Sequence, residues 1–250
     1  MRGRRPGQRD HHRAAGLSRT EAGRRRVRVL GVDACRRGWV GISGDLRGYF
    51  GATIADVVAA ADDEGRVSVV GIDIPIGLSS SGPRVADQVV RRLVGARASS
   101  VFATPVRAAL EAPTHAEATA LNVAATGKGI SQQAFALRHK ILDVDRWLPS
   151  AGRTVLEVHP ELGFATAAGA PLRHPKSTWA GGEERRAILA AVGLTVPAEL
   201  GTAGAMAGVD DVLDAAIVAW TAQRYADGRA TCHPDPPEDL GGGVSAAIWA

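Results

Sequence analysis

The sequence predicts an α/β domain in which three strands form an antiparallel meander and later strands alternate with helices. Two apolar, β-branched runs, 27–33 and 67–73, have the pattern of buried strands, and each of them ends in an aspartate. Apolar residues at helical spacing follow the strands. With 250 residues and 45% hydrophobic content, the chain is long enough to bury one full core or two small ones.

Turn residues separate the first elements of the domain. Gly44-Asp45 is typical of a tight turn between two antiparallel strands, and Pro75 and Gly77 end the strand that precedes them. The predicted elements in this part of the chain are strands over 27–33, 39–43 and 46–50, a helix over 54–61 and a strand over 67–73.

The pattern changes to helices and loops from 75 to 150, which predicts a mostly helical insertion after the fourth strand. The predicted helices of this segment cover 85–93, 116–125 and 131–148. The chain then returns to a strand over 154–158 and to helices over 161–168, 183–192 and 210–226, with Asp210 as the predicted N-cap of the last helix. A closing apolar piece, 246–249, predicts an edge strand, and 233–243 is predicted to be a loose tract.

Positive charge is concentrated in two segments. Residues 1–26 contain nine arginines and two acidic residues, so they carry a net charge of +7, while the whole chain carries +4. A segment this basic and this poor in large apolar groups is predicted to be disordered, as a phosphate-binding tail or as a solvated leader. The segment 75–150 carries +4 beside an otherwise acidic body. This distribution suits a clamp on an anionic substrate.

The sequence predicts neither a membrane span nor export. No apolar run approaches the roughly 18–20 residues that a membrane-spanning helix needs, and no apolar segment follows the arginine-rich start. The two cysteines, Cys35 and Cys232, are too few for a cysteine zinc cluster or a disulfide framework. Because this content fits a reduced compartment, we expect a cytoplasmic location and no membrane partner.

Five acidic residues are predicted to converge at one end of the sheet. Asp33 and Asp73 stand at the carboxyl ends of predicted strands, and Glu157 stands near the end of a third strand. Asp211 and Asp214 are three residues apart, so they lie on one face of the last helix. Small apolar residues beside them would let that helix approach the sheet closely and carry both carboxylates toward the strand ends.

Each acid also has a plain structural interpretation. An aspartate after a strand often forms a turn, an aspartate at a helix start often caps the helix, and Glu157 could pair with an arginine. The joint order of the five acids nevertheless favours a shared site. Carboxylates within a few Å of one another need cations, and hard oxygen ligands suit Mg²⁺ or Mn²⁺. Two ions about 3.5–4 Å apart would activate a water and stabilise the leaving oxygen of a phosphodiester.

Six segments carry a resemblance to a known family: GVDACRRGWV (31–40), IDIPIGL (72–78), GPRVAD (82–87), RASSVF (97–102), EVHPE (157–161) and DDVLDA (210–215). In this order they resemble the DUF429 family of predicted RNase H-like nucleases, and the similarity extends over nearly all of the chain from Val27. The last segment is also similar to the final catalytic helix of the RuvC resolvase group. The resemblance implies an RNase H-like fold over residues 27–250, with three antiparallel strands, then parallel strands, flanking helices and the 75–150 insertion.

The same resemblance implies a Mg²⁺- or Mn²⁺-dependent hydrolase that cleaves phosphodiester bonds in nucleic acid. Asp33 is then the central metal ligand. Asp73 or Glu157, together with the pair Asp211 and Asp214, completes the catalytic and metal-binding site. Nucleic acid is the implied partner, and the choice between DNA, RNA, a hybrid and a nucleotide stays open, as does a homodimer of the kind that resolvase-like nucleases form.

Further candidates for substrate binding are basic or polar residues in or near these motifs: Arg84, Ser99, Ser100, Lys140, His159 and Lys176. The arginine, the lysines and the serines could hold a phosphate. His159 stands two residues after Glu157 and could act as a metal ligand or a general base. Loop serines are otherwise turn hydroxyls, a lysine on the outer face of a helix is otherwise solvated, and Lys176 could instead neutralise the acidic cluster.

Two alternative functions remain beside the metal-dependent hydrolase. A nucleotide phosphotransferase of the RNase H-like fold would use one strand-end aspartate as a base, but the late chain lacks the second glycine-rich phosphate loop that this class needs. A non-catalytic protein that binds metal or nucleic acid would also keep the acidic pocket. Assays of an Asp33 variant would separate the hydrolase from the non-catalytic protein, and ATP turnover would identify the phosphotransferase.

Overall fold

A seven-stranded mixed β-sheet forms the centre of the structure, a computed structural model that describes Met1 and residues 27–250. The predicted basic tail, 1–26, lies outside the described residues except for Met1. The strands are β1 (Val29–Cys35), β2 (Gly38–Ser43), β3 (Gly48–Gly51), β4 (Val69–Ile72), β5 (Thr154–Val158), β6 (Cys232–Asp239) and β7 (Ser245–Trp249). Their order in the sheet is β3-β2-β1-β4-β5-β7-β6.

The strand directions confirm the predicted meander. Strands β1, β2 and β3 pair antiparallel, and β4 and β5 then add in parallel beside β1. Both β1 and β4 are buried along almost their whole length, as expected for strands with helices on both faces. Because β1, β4 and β5 run in the same direction, their carboxyl ends lie together at one end of the sheet.

The described residues form ten α-helices, which cover both faces of the sheet. One face packs against α1, α3 and α6, and the other against α7, α8, α9 and α10. None of the helices within residues 27–250 combines the length and the apolar character that crossing a membrane requires. The helices are α1 (Ile54–Asp62), α2 (Val85–Leu93), α3 (Arg107–Glu111), α4 (His115–Thr126), α5 (Gln132–Ala136), α6 (Arg138–Trp147), α7 (Pro160–Ala168), α8 (Trp179–Ala191), α9 (Thr202–Met206) and α10 (Val209–Ala226).

Helix α10 lies directly against β1 at Gly31. A Cβ atom added at Gly31 would be 2.0 Å from the backbone nitrogen of Ala219 and 2.2 Å from the carbonyl oxygen of Ala215. The absence of a side chain on the strand and the small side chains on the helix therefore set the distance between the two elements. This close approach, which the alanine-rich helix predicts, brings Asp214 to the carboxyl end of β1.

Replacing Gly31 with alanine is expected to lower the free energy of unfolding by about 3 kcal/mol or more, because the new methyl group meets helix backbone that cannot move alone. Denaturant unfolding measures the change. Gly182 in α8 provides the control, since a Cβ there meets nothing within 4 Å. Gly182→Ala is expected to stabilise the protein by about 0.5–1 kcal/mol. Equal effects of the two substitutions would contradict the proposed contact.

Two helix predictions need correction. The predicted helix over 131–148 is two helices, α5 and α6, separated at Leu137. The apolar stripe continues across this short break, so periodicity alone could not reveal it. The N-cap of α10 is Gly208 rather than Asp210. The Oδ2 atom of Asp211 accepts a hydrogen bond from the Gly208 amide at 3.0 Å, which places Asp210 inside the first turn.

The predictions for the end of the chain were also partly wrong. Most of the predicted loose tract, 233–243, belongs to β6, and the predicted edge strand, 246–249, lies inside the sheet as β7, between β5 and β6. Pairing between β6 and β7 is interrupted between His233 and Glu238, where three of the four residues are prolines. Proline lacks an amide donor, so such a strand is tolerated at an edge and is hard to recognise from its sequence.

An ion pair between Asp62 and Arg153 joins the end of α1 to the start of β5. Two guanidinium nitrogens of Arg153 donate to the two Asp62 carboxylate oxygens at 2.9 and 2.8 Å, and the Val67 amide donates to Asp62 Oδ1 at 2.8 Å. The hydrogen bonds from Arg153 are the main cause that lowers the pKa of Asp62.

Because the folded-state pKa of Asp62 is lowered, its stabilising contribution is present above about pH 4 and is lost as the pH falls through the lowered value. We expect Asp62→Asn to lower the free energy of unfolding by about 1–2 kcal/mol at pH 7 and by much less near pH 3. Urea unfolding at the two pH values measures this. Asp63→Asn, at the exposed neighbouring position, should have little effect at either pH, and an Asp62→Asn deficit that persists unchanged at pH 3 would contradict the ion-pair explanation.

Candidate functional site

Three aspartates meet where β1 and β4 end beside α10. Asp33, Asp73 and Asp214 each offer one carboxylate oxygen, and these three oxygens lie within 4.8 Å of one another. Asp33 is 5% exposed and Asp214 is 2% exposed, while Asp73 is partly buried. All three line a cavity of about 330 Å³. The structure therefore brings together three of the five acids that the sequence predicts to converge.

Strand alternation explains why these side chains share one face of the sheet. Gly31 and Asp33 are two residues apart on β1, so both face α10. Gly71 and Asp73 have the same relation at the end of β4, where a Cβ atom on Gly71 would also contact α10. The amide of Asp73 donates to the carbonyl oxygen of Val32 at 3.0 Å, which keeps the two aspartates side by side.

Burial and mutual repulsion disfavour the ionised form of the three aspartates. Burial raises the pKa of Asp33 well above its ordinary value, and repulsion from Asp73 and Asp214 raises it further. Burial, followed by repulsion from Asp214, raises the pKa of Asp73 to about 8. Burial raises the pKa of Asp214 to about 6, although Lys176 opposes that shift. A cation among the three carboxylates would favour their ionised forms.

Lys176 supplies a positive charge at the edge of the cluster. Its Nζ atom donates to Asp214 Oδ2 at 2.6 Å and lies 4.0 Å from Asp210 Oδ2. Burial alone would lower the pKa of Lys176, but attraction from Asp214, from Asp33 and from Asp73 raises it overall, so the ammonium stays charged. Of the two roles expected for Lys176, neutralisation of the acidic cluster matches this geometry.

Glu157 lines the same cavity but stands outside the three-oxygen cluster. Its neighbours Leu156 and Val158 belong to the core cluster beneath α10, so Glu157 faces the opposite side of the sheet. Its Oε2 atom accepts hydrogen bonds from Arg84 at 2.6 Å and from the Ile76 amide at 2.7 Å. Burial raises the pKa of Glu157 to about 7, although Arg84 opposes the shift. These contacts match the alternative interpretation of Glu157 as a carboxylate paired with an arginine.

Arg84 has no exposed side-chain surface, so a direct contact with substrate is excluded in this conformation. Besides Glu157, its guanidinium contacts Asp87 at 3.7 Å and donates to Thr104 Oγ1 at 3.2 Å. These contacts join β5 to the start of α2 and to the following loop. The prediction that Arg84 binds substrate is therefore corrected: its charge is used inside the protein.

Asp211 lines the cavity but stands outside the three-oxygen cluster. Its carboxylate accepts the hydrogen bond from the Gly208 amide and so caps α10. Burial raises the pKa of Asp211. Asp214 lies about 4.5 Å further along the helix axis, at the rise of 1.5 Å per residue, and of the two acids only Asp214 belongs to the three-oxygen cluster.

Lys140 and Ser99 do not line the cavity. The Lys140 Nζ atom donates to the carbonyl oxygen of Gly38 at 2.6 Å and lies 4.7 Å from the centroid of the Trp39 ring. Ser99 is exposed. In this structure Lys140 holds α6 against the hairpin of β1 and β2, and its substrate-binding role stays a prediction.

Ser100 and His159 do line the cavity. The Nε2 atom of His159 lies 3.4 Å from the carbonyl oxygen of Ser100, and its Nδ1 atom is buried without a hydrogen-bond partner. Burial lowers the pKa of His159 to about 4, so the imidazole is neutral at pH 7. A neutral imidazole keeps one nitrogen as an acceptor for a water or a hydroxyl group.

Glu161 is a cavity residue that the sequence analysis did not identify. Its Oε1 atom accepts a short hydrogen bond from the fully buried Arg185, and its Oε2 atom is buried without a partner. Glu161 follows Pro160, which occupies the first turn of α7, directly after the end of β5. The run His159-Pro160-Glu161 was the available signal, because a proline at a helix start fixes where the next side chain points.

Several carboxylate oxygens in the cavity wall have no hydrogen-bond donor. Within the described part of the chain, Asp73 accepts no side-chain hydrogen bond, and Asp33 accepts only from the neighbouring Ala34 amide, at 2.7 Å. The buried Oε2 atom of Glu161 adds a further acceptor without a donor. Buried acceptors in proteins are normally satisfied, and a hard divalent cation satisfies carboxylate oxygens. Asp33, Asp73 and Asp214 are therefore the residues that could hold a metal ion.

Comparison with known proteins identifies a family for this chain. No curated protein and no solved structure matches it. The model of the family described as "Protein of unknown function (DUF429)" matches residues 31–239, which include the three aspartates and Lys176. Because this match covers most of the sequence, the chain belongs to the DUF429 family.

Proposed function

We propose that the protein is a metal-dependent phosphodiester hydrolase that acts on nucleic acid. The observation that carries this proposal is the group of three carboxylate oxygens within 4.8 Å of one another, in a cavity whose wall also contains a buried Glu161 oxygen without a hydrogen-bond partner. Asp33, Asp73 and Asp214 would hold Mg²⁺ or Mn²⁺. When bound, the ion lowers the pKa of water and offsets the negative charge of a phosphodiester.

The strand topology supports an RNase H-like fold as part of the proposal. Three antiparallel strands followed by two parallel strands, in the order β3-β2-β1-β4-β5, agree with the plan that the family resemblance implies. Strands β7 and β6 extend that sheet on the far side of β5. Since one fold hosts many activities, the functional proposal depends on the site and not on the topology.

Other cavity residues suit the same chemistry. The Lys176 ammonium stands beside the aspartates, where it can attract a phosphate oxygen. His159 lines the cavity as a neutral imidazole, and its buried Nδ1 atom has no hydrogen-bond partner. Phe102 and Leu137 add apolar wall against which a base or a sugar can pack.

The size of the cavity limits what can enter it. Its volume of about 330 Å³ is near the lower end for small-molecule sites. One nucleotide unit fits such a space, whereas an intact duplex does not. We therefore expect hydrolysis of an accessible strand, such as a single strand, a branch or a strand end, in preference to the interior of a duplex.

Incubation with labelled substrates tests the proposal. Purified protein is mixed with single-stranded, duplex, hybrid and branched DNA and RNA, in Mg²⁺, in Mn²⁺ or in a chelator. We expect strand cleavage with either ion and none with the chelator. ATP turnover without strand cleavage would favour the phosphotransferase alternative, and metal-dependent binding without cleavage would favour a non-catalytic protein. Either of these outcomes would overturn the hydrolase.

A further inference from the structure

We propose that Lys176 serves as a built-in second cation of the site, so that the three aspartates hold one divalent ion where a pair of ions would otherwise bind. This inference rests on the proposed function and makes it more specific. It follows from the position of one ammonium group, from the charge of the cluster and from the contacts of the neighbouring acids.

The ammonium of Lys176 contacts one carboxylate of the cluster directly. Its Nζ atom lies 2.6 Å from Asp214 Oδ2, one of the two oxygens that this carboxylate can offer. Asp214 is almost completely buried, so its side chain is held in place at this contact. A second ion bridging through the same oxygen would have to displace the lysine and would be repelled by its charge.

The charge of the cluster matches one divalent ion. Three ionised aspartates and one lysine carry a net charge of −2, which a single Mg²⁺ or Mn²⁺ neutralises. Glu161 is paired with Arg185 and Glu157 with Arg84, so neither adds to this count, and Asp210 and Asp211 stand outside the three-oxygen cluster. A second divalent ion would leave an excess of positive charge in a buried site, which is unfavourable without additional anions.

Two of the other acids that the sequence predicts at this site make contacts outside the three-oxygen cluster. A carboxylate pair three residues apart on a helix could in principle bind two ions, but Asp211 accepts a hydrogen bond from the Gly208 amide. Glu157 faces the other side of the sheet and is bound by Arg84. Within residues 27–250, the only group of acids, histidines and cysteines close enough to share an ion is the set of three aspartates.

The loop that carries Lys176 is held in place by several hydrogen bonds. The Thr178 amide donates to the carbonyl oxygen of Pro175 at 3.1 Å, and the Thr178 hydroxyl caps α8 by accepting from the Gly181 amide at 3.0 Å. The buried Arg185 donates to the carbonyl oxygen of His174 at 3.3 Å. Because the loop is fixed on both sides of Lys176, it holds the ammonium in place beside Asp214.

Counting bound Mn²⁺ tests the inference. Equilibrium dialysis and electron paramagnetic resonance would be applied to the full chain at pH 7.5, with Asp33→Asn providing the background from surface sites. We expect one ion above background for the unaltered protein. For Lys176→Met we expect one of two results. Either a second ion binds and gives the spectrum of a coupled Mn²⁺ pair, or the dissociation constant of the first ion falls by about tenfold or more. Lys176→Arg keeps the charge and should bind one ion.

The control is Lys128→Met, which removes the same charge at an exposed position and should leave the stoichiometry and the affinity unchanged. Two coupled ions in the unaltered protein would overturn the role of Lys176 and leave a metal-dependent hydrolase in place. Identical binding by Lys176→Met and the unaltered protein would also overturn it. No binding above the Asp33→Asn background would overturn both this inference and the proposed function. Circular dichroism of each variant confirms that the fold is retained.

Discussion

Replacing Asp33 with asparagine is expected to abolish metal-dependent strand cleavage and, at the same time, to stabilise the metal-free protein. We expect activity to fall by about 10²–10³-fold or more, the loss typical of removing one electrostatic contributor from a catalytic site. The melting temperature in chelator should rise, because the substitution removes a buried charge that faces Asp73 and Asp214. The gain should be about 1–3 kcal/mol at pH 8.

The expected loss of activity and the expected gain in stability have the same structural cause. Asp33 is 5% exposed, and the closest positive charge in the cluster, that of Lys176, is already hydrogen-bonded to Asp214. Ionised Asp33 is therefore costly until a cation binds. Mn²⁺ should raise the melting temperature of the unaltered protein, since an ion that binds only the folded state stabilises it. The same addition should leave the Asp33→Asn variant almost unchanged.

Asp63→Asn is the matched control, because it makes the same chemical change at an exposed position. It should alter neither the activity nor the response to Mn²⁺. The assignment of Asp33 would be contradicted by an Asp33→Asn variant that cleaves normally. It would also be contradicted if Asp33→Asn lowered both the activity and the melting temperature in chelator, because that result would indicate that Asp33 is a structural carboxylate.

The convergence of Asp33, Asp73 and Asp214 could be predicted from the sequence for a physical reason. Parallel strands end at the same end of a sheet, and a helix with small residues can lie against them. The exclusion of Glu157 could have been predicted by the same reasoning. Leu156 and Val158 are apolar and two residues apart, so they occupy one face, and Glu157 must face the other.

Other features of the site depend on contacts that a local pattern does not encode. The loop with Lys176 reaches Asp214 across 38 positions of the chain, and Arg84 reaches Glu157 across 73. Such pairings are decided by how helices pack on the sheet. The strand β6 could not be predicted for a different reason. It lies at the edge of the sheet, where few amide donors are needed, so it tolerates prolines, and its sequence therefore does not resemble a strand.

Truncating Arg84 to alanine is expected to destabilise the protein by about 3–5 kcal/mol, because it leaves the buried Glu157 carboxylate without its partner. For a chain of this size, that corresponds to a melting temperature lower by roughly 10 °C or more. Arg84 also contacts Asp87 and Thr104, so the loss extends to the start of α2. Differential scanning calorimetry measures the change. Arg92→Ala, an exposed position on the same helix, should change stability by less than about 0.5 kcal/mol.

A double variant distinguishes a buried ion pair from a substrate contact. Arg84→Met combined with Glu157→Gln removes both charges and keeps an acceptor for the Ile76 amide. Replacing both members of a buried pair is far less costly than removing one, so the double variant should recover most of the stability lost in Arg84→Ala. It should also retain metal-dependent cleavage, because Asp33, Asp73 and Asp214 are untouched. A stable but inactive double variant would show that Arg84 or Glu157 acts in the reaction, and their assignment to the interior would then be wrong.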